Sequence, residues 1–337
     1  MSHKKSLVTG GAGFIGAHVA ASLLAKGHQV VVLDDLSGGF EENVPKGARF
    51  IKGSITDVEL IKKLFEQEKF NYVFHLAAYA AEGLSHFIRR YNYENNLIGS
   101  INLINASVLN NVERFVFTSS IAVYGLTNPP LLEEMNPFPA DPYGVAKLAV
   151  EQDLRVARDL FGLQYTIFRP HNVYGEYQNI GDRYRNVVGI FMNQILQGLP
   201  LTIFGDGLQT RAFSYISDIA APIADCIEIE KTKGEIFNVG ADTPYTVNHL
   251  AEKVMDAMGK RVPITYLEKR HEAEHSYSSH EKIARFFPVR SKPVSLEEGL
   301  AKMAAWVARV GSRKTNIFAA VEIFKHMPPS WRKEFGE

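Results

Sequence analysis

The chain has 337 residues, and its 37 basic residues balance 37 acidic ones to a formal net charge of zero, without a basic block, which argues against nucleic acid as a partner. With 46% hydrophobic and 22% charged residues it has ordinary globular composition, at a length for two domains or one large domain with an added lobe. No apolar run reaches bilayer length, and a single cysteine, Cys226, leaves no intrachain disulfide and suits a reducing, cytoplasmic compartment.

Ser6-Leu7-Val8-Thr9 reads as a short strand that runs into Gly10-Gly11-Ala12-Gly13-Phe14-Ile15-Gly16 and then into a helical pattern over Ala17 to Lys26, stopped by Gly27. Lys4 and Lys5 ahead of Leu7 to Ala25 resemble the start of a secretion signal. The glycines, Thr9 and His18 break that stretch up, and strand, loop and helix account for each of them, so no signal is expected. Gly11, Gly13 and Gly16 fit G-x-G-x-x-G, and Gly10, Gly13 and Gly16 fit the looser G-x-x-G-x-x-G. Such spacing turns a strand sharply, lets backbone approach a pyrophosphate, and starts a helix with its free N–H groups aimed at the anion. A second strand, Gln29 to Leu33, ends at Asp34, roughly 20 residues on, which completes a dinucleotide-binding fingerprint.

Arg49 to Lys52 is the next strand, and Thr56 or Asp57 can cap a helix reaching about Glu66. Tyr72 to His75 and Arg114 to Thr118 are strands on either side of a helical pattern over Arg89 to Leu109. A helix over Tyr143 to Phe161 and a strand over Gln164 to Arg169 follow. Apolar strands alternating with helices mean a parallel sheet covered on both faces. After Arg169 the rhythm changes. Helices are expected at Asn186 to Gln197, Asp218 to Ile229, Thr246 to Met258 and Ser295 to Arg309, with strands near Leu201 to Phe204, Glu235 to Val239 and Pro263 to Leu267. This reads as a smaller mixed α/β lobe, wound partly back into the main sheet. The division is 1–169 for the dinucleotide-binding domain, 170–310 for the lobe, and 311–337 for a tail with a helix over Asn316 to Phe324.

Three more motifs carry chemistry. Tyr143 and Lys147 stand four apart on one helix face, where an ammonium would lower the phenol pKa and yield a base for a sugar hydroxyl. Ser119-Ser120 follows a strand, at the end where open parallel sheets bind ligands. His75-Leu76-Ala77-Ala78 also follows a strand and offers small residues for close approach.

With these motifs, Asn95-Asn96, Arg169 to Gly175 and Phe204-Gly205-Asp206-Gly207 with Arg211, Tyr215 and Asp218, the chain resembles an extended short-chain dehydrogenase/reductase of the nucleotide-sugar epimerase/dehydratase group. The resemblance runs over residues 5–310 and implies a Rossmann-type, doubly wound fold with a smaller C-terminal lobe. It implies NAD held by Gly10, Gly13, Phe14, Ile15, Gly16, Asp34, Ser54, Ile55, Leu76, Ala77, Ala78, Asn95, Tyr143 and Lys147. Asp34 on the ribose hydroxyls favours NAD over NADP. It further implies Ser120, Tyr143 and Lys147 as the catalytic set. A UDP-sugar would meet Ser120, Tyr143, Asn172, Asn186, Arg211 and Arg270. Ser54 stands where the family usually has an Asp, and Arg270-His271-Glu272-Ala273 departs from the usual Arg-x-Gly-Asp. Similar proteins pair the helices over 89–109 and 143–161 into a homodimer interface.

Dehydratases of this group carry Asp-Glu after the active-site Ser or Thr, and this chain has Ile121-Ala122 there. The remaining set suits 4-epimerisation through a transient 4-keto sugar. UDP-glucose/UDP-galactose is the first expectation, with UDP-N-acetylglucosamine and UDP-glucuronate as alternatives. Ser276 at the pocket gate would admit an N-acetyl group, and Tyr277 would exclude it. The different-class alternative is a non-catalytic NAD-binding scaffold, whose mark would be a missing Ser, Tyr or Lys. His271-Glu272-Ala273-Glu274-His275 matches the zinc motif H-E-x-x-H, but in a run too polar for a packed helix, so no metal is expected. His171 is expected to form a wall, and Trp306 and Trp331 to pack.

Overall fold

The computed structural model describes residues 4–270, 272–287, 292–315 and 318–335. Its centre is a seven-stranded, all-parallel sheet in the order Glu235–Val239, Tyr165–Pro170, Arg114–Thr118, Tyr72–His75, Lys5–Thr9, Gln29–Asp34, Arg49–Lys52. Leu7 and Val31 point into one apolar core, and Val8 and Val32 into the other. A strand alternates its faces residue by residue, so a run apolar at every position must be covered twice. Helices Phe14–Ala25 and Ile216–Asp225 cover one face, and Val58–Glu68, Gly99–Leu109 and Pro142–Phe161 the other. Asp57 caps the Val58–Glu68 helix by accepting the Leu60 N–H. The strand Glu235–Val239 crosses back from the lobe to extend the sheet beside Tyr165–Pro170.

The lobe is built on short pairings: Leu201–Phe204 with Ile264–Leu267, and Thr210–Ala212 between Pro244–Thr246 and His275–Ser276. Among the described residues no helix is long and apolar enough to cross a membrane.

Three expectations need correction. The helix over 89–109 is interrupted by a π-turn at Glu94–Ile98, where Asn96 ties itself to both backbone groups of Tyr79. The helix expected from Asp218 to Ile229 spans Ile216–Asp225 and continues as a 3-10 turn at Cys226–Glu228. In the tail, Asn316 and Ile317 lie outside the described residues, 318–324 is not helical, and the described helical turns are Pro329–Arg332 and a 3-10 turn at Lys333–Phe335. The Glu322 and Ile323 N–H groups bond the Phe87 carbonyl, and the Glu322 carboxylate takes the N–H groups of Arg90 and Tyr91. Those donors are drawn to another segment, so no helix closes.

Candidate functional site

The strand ends converge on a cleft of about 520 Å3, and every residue expected to bind cofactor or substrate lines it. Gly10 has φ +70°, and a Cβ there would lie 2.7 Å from the Ala77 nitrogen. At Gly16 it would lie 2.1 Å from the Gly10 carbonyl oxygen. Only glycine lets strand, turn and helix approach so closely. Helix Phe14–Ala25 starts at Gly13 with no side-chain cap, so its first N–H groups are left for an anion.

Asp34 accepts the Ala12 N–H at 3.1 Å through Oδ2 and the Leu36 N–H at 2.8 Å through Oδ1. Burial pushes its carboxyl pKa up, and those two N–H groups pull it back. A cradle that a Cβ would fill, an uncapped helix start and a fixed acid at the next strand end together fit a dinucleotide pyrophosphate and its ribose. Ser54, Ile55, Leu76, Ala77, Ala78 and Asn95 complete this half of the wall. The Ser54 hydroxyl is engaged with Thr56, and Asn95 donates to the Tyr91 carbonyl. Thr9, His75 and Ser100 form a buried hydrogen-bonded chain behind it, and burial holds His75 neutral.

Helix Pro142–Phe161 supplies the reactive stripe. Asp141 caps it by accepting the Gly144 N–H, and Pro142 opens it. Tyr143, Lys147 and Glu151 are all buried on one face. Lys147 donates to the Thr118 carbonyl at 2.9 Å, and its amine lies 4.7 Å from the Phe117 ring centre and 5.7 Å from that of Tyr143. Burial pulls Lys147 down to about 7. Tyr143 does not show the lowered pKa expected from its lysine. Burial pushes the phenol up, Glu82 and Asp141 push further, and the Ser120 hydroxyl opposes them by hydrogen bonding. In the free chain Tyr143 therefore keeps its proton.

Glu151 anchors the stripe from behind. It accepts from Ser119 at 2.5 Å and pairs with Arg169, which donates in turn to the Tyr124 hydroxyl at 2.7 Å. Tyr124 donates to Asn238 at 2.9 Å, on the returning strand.

On the lobe side Asn172 sits at φ +42° and lines the cleft. Asn186 lines it too, but its side chain is committed: Oδ1 caps helix Val187–Gln197 and Nδ2 bonds the Val173 carbonyl. Arg211 bonds the carbonyls of Ala273 and Glu274. Arg270 lies 3.8 Å over the Phe204 ring and 5.6 Å from that of Trp331, in the corner that these two edge-to-face rings make, and its buried Nε has no partner. A buried guanidinium with an open donor fits a phosphate oxygen. Ser276 lines the cleft, whereas the Tyr277 carbonyl is tied to Leu131. His171 forms wall, held by the Ala212 carbonyl and stacked on His280. The zinc-motif segment is not a helix, since His275–Ser276 pairs as a strand; His271 lies outside the described residues.

Sequence reasoning missed Glu82 and Arg185, and it expected Trp331 to pack without placing it at Arg270. Glu82 lines the cleft beside Tyr143. Arg185 lines it too, with its guanidinium 4.8 Å from the Tyr79 ring centre. Trp331 is buried behind Arg270. Only Glu82 left a trace, as the one charge in the run Ala77 to Leu84.

The family model of the NAD dependent epimerase/dehydratase family matches residues 6–240. The chain is 32% identical over 279 residues to the UDP-glucose 4-epimerase of Corynebacterium glutamicum, covering 79% of this chain and 84% of that one. Among solved structures it is similar to the UDP-glucose 4-epimerase of Thermotoga maritima with UDP-glucose, at TM-score 0.85 and 35% identity over 91% of this chain and 99% of that one. It is also similar to the UDP-glucuronic acid 4-epimerase of Bacillus cereus with UDP-glucuronic acid and NAD, at TM-score 0.83 and 28% identity over 91% and 99%.

Proposed function

The chain belongs to the NAD-dependent epimerase/dehydratase family, and from that premise we propose that Ser120, Tyr143 and Lys147 are the catalytic set of its NAD-dependent UDP-sugar 4-epimerisation. The observation that carries this assignment is that the three line one cleft with the glycine cradle and Asp34. NAD, when bound, supplies a reversible hydride acceptor. The chain's own residues do the rest. Gly10, Gly13 and Gly16 with the helix start hold the pyrophosphate, and Asp34 the ribose, where its negative charge opposes a 2′-phosphate. Ser120 orients the sugar O4 and Tyr143 moves its proton, which returns to the opposite epimer. Charged Lys147 supplies the positive charge that a phenolate at Tyr143 needs. Arg270 and Arg211 meet the diphosphate, with the Val187 N–H at the helix start and Asn172.

Glucose/galactose is the first assignment for the sugar. Ser276 on the cleft wall favours admission of an N-acetylhexosamine as well. We assign 1–169 with the returning strand to the cofactor, 170–310 to the sugar nucleotide, and 311–337 to a C-terminal tail whose Trp331 packs against Arg270. Helices Gly99–Leu109 and Pro142–Phe161 pack together and expose Leu109, Leu160 and Phe161, an apolar face that supports a homodimer in the cytoplasm. The test is Tyr143→Phe with UDP-glucose and UDP-galactose. Conversion falls by about 10²- to 10⁴-fold with NAD still bound, as for loss of a positioned acid–base group. Unchanged turnover refutes the assignment.

A further inference from the structure

We propose that Glu82 makes this active site reject sugar nucleotides carrying a carboxylate on the sugar ring, so that it acts on uncharged hexoses and N-acetylhexosamines; this rests on the 4-epimerase reading above. Glu82 opens the short helix Glu82–Ser85, and that turn is clipped to the catalytic helix. The Ser85 hydroxyl accepts the Tyr143 N–H at 3.3 Å and donates to the Glu82 carbonyl at 2.6 Å. The carboxylate lines the cleft with Ser120 and Tyr143, and its charge acts directly on the Tyr143 phenol. Asp141 and Glu272 line the same cleft. The cations nearest to Glu82 are turned elsewhere: Arg211 and Arg270 pair with Glu272 at 3.8 and 3.7 Å. An incoming diphosphate claims both arginines, and the remaining cleft guanidinium, Arg185, is paired with Asp182 at 2.9 Å, so among the described residues Glu82 and Asp141 are the acids left without a partnering cation at the sugar end.

The chemistry of the reaction sharpens this. O4 must sit at the Tyr143 hydroxyl, and the C6 carboxylate of a uronate is carried on C5, next to C4. Inversion at C4 requires the 4-keto ring to present each face in turn, which swings C6 from one wall to the other. A repulsive group need disfavour only one of those placements to halt the cycle. Two unit charges about 6 Å apart at an effective dielectric of 20 differ from a neutral pair by about 100-fold in rate or affinity.

The experiment compares kcat/KM for UDP-glucose, UDP-N-acetylglucosamine and UDP-glucuronate on the NAD-loaded wild type, Glu82→Gln and Glu82→Ala, resolving the C4 epimers. Wild type should convert the glucuronate about 100-fold less well than the better neutral sugar, and Gln should shrink that ratio at least tenfold. Glu82 is open to the solvent of the cleft, and enclosure by the cleft walls with the charge of Asp141 raises it to about 7, in a setting that also holds Tyr143, Arg185, Arg211, Arg270, Glu272 and, beside Asp141, His86. The wild-type ratio should therefore narrow from pH 8.5 to pH 6 as Glu82 protonates, and stay flat in Glu82→Gln. A wild type that prefers glucuronate, or a ratio untouched by Gln, overturns the proposal. If wild type converts none of the three, the epimerase reading fails. Calorimetric affinities of UDP-glucuronate against UDP-glucose on wild type and Glu82→Gln then still decide the role of Glu82 by the same ratio.

Discussion

Lys147→Met should stabilise the cofactor-stripped protein while abolishing turnover. Lys147 is 2% exposed, and its folded pKa is about 7 against the usual 10.5. Between those values the unfolded chain binds more protons than the folded one, so stability rises with pH. The cost of the amine is complete below pH 7 and vanishes above about pH 10.5. At pH 7 it comes to about 4 kcal/mol, and at pH 9.5 to about 1–2 kcal/mol. Methionine fills the same channel beside Phe117 with no charge to bury. Urea denaturation of wild type and variant at pH 7 and 9.5 reads both effects. The variant should be more stable by about 4 kcal/mol at pH 7, and the gap should close by more than half at pH 9.5. A variant less stable than wild type at pH 7, or two parallel pH profiles, would refute the placement of a strained ammonium here.

Two other expectations follow from the same geometry. Trp331→Ala removes one of the two rings that Arg270 packs against, so KM for the UDP-sugar should rise about fivefold with kcat nearly unchanged, as read in steady-state assays; an altered kcat with constant KM would contradict it. Glu151→Leu leaves Arg169 charged and buried without its partner, at a cost of about 3–5 kcal/mol by denaturant titration, whereas Glu151→Leu with Arg169→Met should recover most of that loss.

The cofactor half was legible because its signals are local. The strand Gln29–Asp34 is where its apolar run puts it, and Asp57, Thr246 and Ser295 each cap the helix that follows them. The glycine spacing carries its own geometry, since each glycine's missing Cβ is a contact with another named backbone atom. What was not legible depends on partners far along the chain. The π-turn at Glu94–Ile98 follows from Asn96 reaching Tyr79, and no periodicity encodes that. The tail has helical spacing, yet its N–H groups serve Phe87. Glu82 sits in a run of small residues, and only the fold brings it to Tyr143, 61 positions later.

The Tyr–Lys spacing led to the opposite direction of shift at Tyr143 from the one in the free chain. Four-residue spacing puts the two groups on one face, and the structure does so. It says nothing of how dry that face is. Burial pushes each group toward its neutral form, and for Tyr143 the carboxylates of Glu82 and Asp141 act in the same sense. The free site thus holds a phenol next to an amine that is half charged near neutrality. On the proposed mechanism a phenolate at Tyr143 needs a charged Lys147, and charging Lys147 is what its burial resists. Stability and catalysis therefore pull in opposite directions on one amine, which is why a methionine at this position is expected to give a firmer protein that does no chemistry.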